Sequence, residues 1–346
     1  MTKYLFQDYL ELEIDPGKHR QYDRYFDNEY IRINETNVAK NKPTHKVRLQ
    51  IVDNIPNHLD KNSVIRKGKF KHLFTFEYAV LGAGTKDVTI YFKHHSVSKL
   101  YVTAVGVFIQ AQVLEPLMYW SFLKQNIFFM HSAGVSKDRK AYVFPAYGGT
   151  GKTTTSMSLL TKGYSFMGDD LLIIDPGKKL VFPYPRPLHI FTYNVQNLNG
   201  AKIPFATKFI IYFKNVVRWF LERILRTEFL ISTRIHADEV IDNLELSEPA
   251  TLHNVIFLKK KGDHESVKLN SMTKIKEHAK NIVESADLNE SLFKLMDDKK
   301  LTKQITNLEV SVASNMLKNA NYFGYLNTRK INLKKVDLYL NNVEVD

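Results

Sequence analysis

Tyr147-Gly148-Gly149-Thr150-Gly151-Lys152-Thr153-Thr154-Thr155 decides the reading of this chain, because an apolar run ends just before it at Pro145 and a helical pattern starts near Thr153. Glycines without a Cβ let consecutive backbone N–H groups turn inward on phosphate oxygens, and a following helix presents its positive N-terminus to the same anion. The residues Gly148, Gly149, Thr150, Gly151, Lys152, Thr153 and Thr154 therefore read as a cradle for nucleotide phosphates. In that reading Lys152 reaches the β- and γ-phosphates, and the Thr153 hydroxyl ligates Mg²⁺. The usual pattern opens on a glycine, but here Ala146 takes that place, a substitution that a position needing positive φ would disfavour. The competing reading is a glycine turn with a purely structural role.

Working outward, 127–135 and 141–144 have the character of strands, 153–162 of a helix that ends at the turn Gly163, and 165–167 and 171–174 of further short strands. Strand, loop, helix, strand is the order such a cradle requires. It places the segment in the α/β class. Apolar spacing over 105–124 suits a buried helix perturbed at Pro116. Upstream, 46–52, 73–80 and 88–92 alternate as strands do, with a turn at Leu81-Gly82-Ala83-Gly84 and a loop at Ile55-Pro56-Asn57. The stretch 20–41 is polar, aromatic and charged. Past Gly262 the chain is lysine-rich and mostly helical in pattern, with 288–296 amphipathic and 331–345 closing in strands. These shifts divide the chain into a β-rich part over 1–104, a nucleotide-binding core over 105–262 and a mainly helical part over 263–346.

Beyond the loop lies Gly168-Asp169-Asp170, between two short apolar runs. Adjacent carboxylates at a strand end beside a phosphate cradle suggest a division of labour. One holds Mg²⁺ directly or through water, and the other accepts the proton of an attacking hydroxyl. An exposed Gly-Asp-Asp turn is the plainer alternative. His131 stands at the start of His131-Ser132-Ala133-Gly134, about one hairpin before the loop. A lone histidine at a strand end is by itself more often structural than catalytic.

Together, His131-Ser132-Ala133, the loop Gly149-Thr150-Gly151-Lys152-Thr153-Thr154, the turn Gly163-Tyr164 and Gly168-Asp169-Asp170 resemble the superfamily of HPr kinase/phosphorylase and phosphoenolpyruvate carboxykinase. The likeness is strong over about 127–174 and looser over 105–260. The loop wording is nearest the carboxykinases, whereas the His-Ser-Ala opening and the chain size are nearest the HPr-kinase-like small kinases. The resemblance implies a P-loop kinase core of this type, with a mixed sheet. It assigns Lys152 to the phosphates, Thr153 to the metal, and Asp169 and Asp170 to base and metal work. His131 would contact the transferring phosphoryl group or the base. Of the two carboxylates, Asp169 is the expected base and Asp170 the expected metal ligand, with exchange of the two roles left open. The glycine-rich, Arg-led signature of true HPr kinases does not follow the aspartate pair. The chain is also too short for a full carboxykinase.

Two arginines are candidates for substrate or phosphate contact. Arg186 lies in Pro183-Tyr184-Pro185-Arg186-Pro187, where prolines hold it in an extended segment, and Arg234 is the weaker candidate. For Arg186 a loop arginine paired with a carboxylate is the equal alternative. The most distinctive helix runs over 208–226, with Phe209, Phe213, Val216, Phe220 and Ile224 on one face and Lys214, Arg218, Glu222 and Arg226 in a second stripe. It packs on its own domain or a subunit partner, or else lies on an anionic membrane surface.

The 346 residues are 44% apolar, an ordinary composition for a globular chain, and 49 Lys+Arg against 36 Asp+Glu give a net charge of +13. Such an excess suits acidic partners such as nucleotides, phosphorylated substrates, nucleic acid or anionic lipid. Nucleic acid is not the expected partner, because the basic residues are scattered and no RNA-binding module is recognisable. With no cysteine there is no disulfide, no thiol nucleophile and no cysteine zinc site. Residues 1–17 are acidic and unlike a secretory signal, and the apolar stretches 105–123 and 209–225 are interrupted by polar or charged residues. The expectation is therefore a cytoplasmic, ATP- and Mg²⁺-dependent kinase, membrane-peripheral if 208–226 lies on lipid. Its acceptor is a serine of a protein or peptide, or a small hydroxylated metabolite, and the family likeness adds homo-oligomer formation. The alternatives are a nucleotide-binding regulatory or scaffold protein without phosphotransfer, or a nucleic-acid-modifying enzyme.

Overall fold

Strict alternation over His45–Val52 sets the first sheet: His45, Val47, Leu49 and Ile51 point inward, and the residues between them outward. In the computed structural model this segment, β3, lies inside a six-stranded mixed sheet in the order β1-β2-β3-β6-β5-β4. Its members are β1 (Thr2–Phe6), β2 (Leu10–Asp15), β3, β4 (Val64–Phe70), β5 (Phe74–Leu81) and β6 (Asp87–Lys93). The structure describes residues 1–37, 39–61, 63–70, 74–95, 102–190, 205–225, 233–241, 243–286, 288–330, 336–337 and 340. Between the parallel neighbours β2 and β3 the chain crosses over through helix α1 (Gln21–Thr36). The polar and charged composition of 20–41 obscures this helix. Its buried face, Tyr22, Phe26, Glu29, Tyr30 and Ile33, nevertheless recurs at helical spacing.

A long central helix follows: α2 (Val102–Ile109), a π-helical turn over Gln110–Leu114, and α3 (Glu115–Leu123). The irregularity thus sits ahead of Pro116 rather than at it, and Pro116 occupies the first turn of α3, where its fixed φ suits a helix start. By length and a hydropathy of 1.3 the 22-residue span 102–123 suffices to cross a membrane, but two thirds of that window is buried inside the protein. Val105, Ile109, Val113, Leu117 and Phe122 are fully enclosed among residues of both sheets.

The second sheet is eight-stranded and mixed, so the chain is α/β with two mixed sheets. Its strands are β7 (Phe128–Lys137), β8 (Lys140–Pro145), β9 (Ser165–Gly168), β10 (Leu171–Asp175), β11 (Leu180–Phe182), β14 (Ala250–Lys259), β15 (Glu265–Ser266) and β16 (Tyr322–Asn327). The main path is β11-β10-β7-β8-β14-β16-β15, with β8 and β16 both parallel to β14 and with β9 paired to β7. Helix α4 (Lys152–Leu160) leaves the loop that follows β8. Both faces of this sheet are covered, and period-two alternation shows it. Ala141 and Val143 of β8 face the core shared with the first sheet, whereas Tyr142 and Phe144 face a second core with Leu159, Phe166 and Ile256. A small pair, β12 (Leu188–Ile190) and β13 (Thr233–Ile235), carries α5 (Phe205–Leu225) between its strands. The helices α6 (Met272–Glu284), α7 (Leu288–Met296) and α8 (Lys299–Asn319) then lead back into the sheet through β16. The strands expected over 331–345 lie outside the described residues, save that 336, 337 and 340 are helical.

Candidate functional site

The glycine-rich loop joins the end of β8 to the start of α4, and two of its glycines take backbone conformations that side chains resist. Gly149 has φ of 68° and Gly151 has φ of 107°. Ala146, by contrast, has no positive φ, and it forms an isolated parallel bridge with Leu258. The alanine is therefore accommodated as an extension of the sheet rather than in the turn. Thr150 closes the turn by donating to the Tyr147 carbonyl at 2.6 Å, and Thr328, in the turn just past β16, braces it by donating to the Thr150 carbonyl at 2.8 Å. Gly151 caps α4 without a side-chain acceptor, so the dipole end of the helix opens toward the loop.

Lys152, the first residue of α4, turns its ammonium back to the Ala146 carbonyl at 2.8 Å and to Nε2 of His131 at 2.8 Å. An ammonium only donates, so Nε2 of the imidazole accepts and the ring proton sits on Nδ1. Nδ1 stands 3.3 Å from Oδ1 of Asp170. This neighbourhood is built by strand pairing: β10 runs antiparallel to β7 with Leu171 opposite His131, and Ser132 donates its N–H to the Asp170 carbonyl at 3.0 Å. β9 pairs farther along β7, so Gly168-Asp169-Asp170 forms the break between two strands laid along one edge. A Cβ on Gly168 would lie 2.8 Å from the Leu171 carbonyl oxygen, so the tight break admits only glycine.

The two aspartates meet different surroundings. Asp169 turns under the first turns of α4, where Thr153 Oγ1 donates to Oδ2 at 2.8 Å and Ser156 Oγ donates to Oδ1 at 3.1 Å. Burial pushes its carboxyl group up to about 6; the Thr153 hydrogen bond opposes the rise and the charge of Asp170 adds to it. Asp170 is 42% exposed at its side chain, and its Oδ2 is held by Nη2 of Arg186 at 3.0 Å.

Arg186 is nearly enclosed, at 6% exposure. Burial, helped by the nearby charge of Arg234, pulls its guanidinium below the ordinary range, and Glu29 counters that pull. It pairs with Glu115, and Arg234 pairs with Glu29 and donates to the Tyr25 hydroxyl at 2.7 Å. Gln110 ties the two carboxylates together, donating to Glu115 at 3.0 Å and to Glu29 at 3.2 Å, while accepting from Tyr25 at 2.5 Å. In a regular α-helix side chains five apart diverge by roughly 140°. The π-helical turn removes that divergence and brings Gln110 onto Glu115. Both candidate arginines are thus engaged by carboxylates, and of the pair only Arg186 touches the aspartates.

The structure therefore brings together Lys152, Thr153, His131, Asp169, Asp170 and Arg186, and leaves Arg234 one layer behind. Sequence reasoning missed Ser156, Glu29, Tyr25, Gln110, Glu115 and Thr328. Ser156 was within reach, since it lies three residues past Thr153 on one helix face. Glu115 is the single carboxylate of an otherwise apolar helix, a signal that could have found it. Glu29 and Thr328 carry no such mark, because only the fold brings them near. The oxygen set beside Thr153 suits Mg²⁺, which takes one or two protein carboxylates together with substrate phosphates. No group of three or more His, Asp or Glu forms a ready metal cage among the described residues. No family model matches the chain, and no curated protein matches it.

Proposed function

We propose that this chain is an ATP- and Mg²⁺-dependent kinase that transfers the γ-phosphate to a hydroxyl, on a serine of a protein or peptide or on a small metabolite. The observation that carries the reading is the convergence of Lys152, the open end of α4, the Thr153–Asp169 hydrogen bond and the His131–Asp170 contact around one loop. The loop N–H groups and Lys152 would bind the phosphates, and Thr153 with Asp169 would hold the metal. Bound there, Mg²⁺ would neutralise charge on the β- and γ-phosphates.

The geometry favours exchanging the roles first expected of the aspartates. Asp169 shares a hydrogen bond with the hydroxyl assigned to the metal and is turned away under α4, which suits a ligand. Asp170 is open to an incoming alcohol, and Arg186 and His131 fix its two oxygens, which suits a base that must be aligned before the proton moves. His131 is neutral in this arrangement and links the base to the phosphate-binding lysine.

The test is to incubate the protein with Mg²⁺ and γ-labelled ATP, with and without fractionated cell extract, beside Asp170→Asn. Label on a serine or a metabolite, absent in the variant, is the expected result. Label found only in free phosphate, or no turnover although ATP binds, would replace the kinase with a nucleotide-binding regulatory protein.

A further inference from the structure

Helix α5 holds to the body of the protein through Ile211, which is 3% exposed, and through a few contacts with β13. The opposite side is open. Phe209, Tyr212, Phe213, Val216 and Trp219 are each 47% to 64% exposed. Their spacing of three, four, seven and ten residues from Phe209 sets them in one stripe about 15 Å long. An exposed apolar strip of this size on a basic protein calls for something to cover it.

Charge decides what that is. The segment 205–225 carries Lys208, Lys214, Arg218 and Arg223 against the single carboxylate Glu222. Arg223 stacks over the Trp219 ring at 5.6 Å, so a cation stands at the edge of the apolar strip. Two copies of this helix packed strip to strip would oppose cations to cations. A negatively charged surface would attract them, and the whole chain at +13 adds to that attraction. Trp and Tyr within the strip are the side chains that settle at a lipid–water boundary, with the ring buried and the polar tip wet. The geometry points to α5 as an amphipathic helix that lies on an anionic lipid surface, with Phe209, Phe213, Val216 and Trp219 in the acyl boundary and the exposed Lys208 and Arg223 among the headgroups. The contacts of α5 with β13 would then hold the β12–β13 pair close to the membrane.

This is tested without nucleotide, so it stands or falls apart from the kinase reading. The full chain is sedimented with phosphatidylcholine vesicles and with vesicles that also contain phosphatidylglycerol, beside Phe213→Asp/Trp219→Asp. Both residues are exposed, so the variant should fold as the parent does. The expected result is binding to the anionic vesicles alone, weakened by salt and reduced at least about tenfold in the variant. Binding should blue-shift the tryptophan emission, because Trp219 is exposed and the only other tryptophan, Trp120, is buried. Equal sedimentation of parent and variant, or none of the parent, overturns the proposal. So does a parent that is dimeric in solution and becomes monomeric in the variant, since a second copy would then be the occupant.

Discussion

Nδ1 of His131 lies 3.3 Å from Oδ1 of Asp170, while Nε2 on the other side of the same ring accepts from Lys152 at 2.8 Å. One imidazole thus couples the cation at the mouth of the loop to the more exposed of two adjacent carboxylates. The ring can do this only with its proton on Nδ1. In the proposed reaction it orients the base and leaves proton transfer to Asp170.

The two aspartates should separate kinetically. Asp170→Asn is expected to lower kcat by roughly 10²–10⁴-fold while leaving the affinity for Mg²⁺-ATP nearly unchanged. Asp169→Asn should instead weaken Mg²⁺-dependent nucleotide binding. Titration of ATP with and without Mg²⁺, together with single-turnover rates, distinguishes them, and the reverse pattern would restore Asp169 as the base.

Substitutions in the loop should rank by backbone conformation. Gly151→Ala forces a side chain onto φ of 107° and should cost about 1–2 kcal/mol of stability together with nucleotide affinity. Gly148→Ala should be close to neutral for folding, because no atom lies within 4 Å of its Cβ position and its φ is not positive. Chemical denaturation of both variants checks this; equal destabilisation would mean that the loop geometry is wrong.

The cluster behind Asp170 makes a stability prediction. Glu115→Leu leaves the Arg186 guanidinium enclosed with less compensation and should cost about 3–5 kcal/mol. Adding Arg186→Leu should recover part of that loss, since the stranded charge goes with it, although Asp170 then loses the arginine that aligns it. A double-mutant cycle in urea measures the coupling, and simple additivity would show that the pair is not energetically linked.

Glu309 of α8 gives a prediction in pH. It is fully buried, accepts from the Tyr119 hydroxyl, and burial pushes its carboxyl group up to about 7. Because the folded state holds this proton more tightly than the unfolded chain, stability falls as pH rises from about 4.5 to about 7 and the penalty is complete above that. Glu309→Gln keeps an acceptor for Tyr119 and removes the charge. It should be more stable than the parent by roughly 1–3 kcal/mol at pH about 8, with the difference vanishing near pH about 4. Melting temperatures across this range give the result directly, and a difference independent of pH would rule out titration as its source.

What the sequence determined by itself was local. The alternation of 45–52, the strand–loop–helix–strand order around Lys152, and the identities of His131, Thr153, Asp169 and Asp170 all follow from periods and neighbours along the chain. Such signals arise within a few residues, where backbone geometry and side-chain chemistry act directly. Tertiary structure alone decided which aspartate turns under α4 and which faces outward, because that depends on how β9 and β10 share one edge of β7. It also decided that Arg186 is held by Glu115, with Glu29 close by, while it reaches Asp170. Glu115 is the first residue of α3, just past the π-helical turn, and Glu29 comes from the helix in the first sheet's crossover. No spacing along the chain could announce the cluster, since its members come from separate elements and a buried charge, costly to strip of water, is held only where packing sets an opposite charge against it.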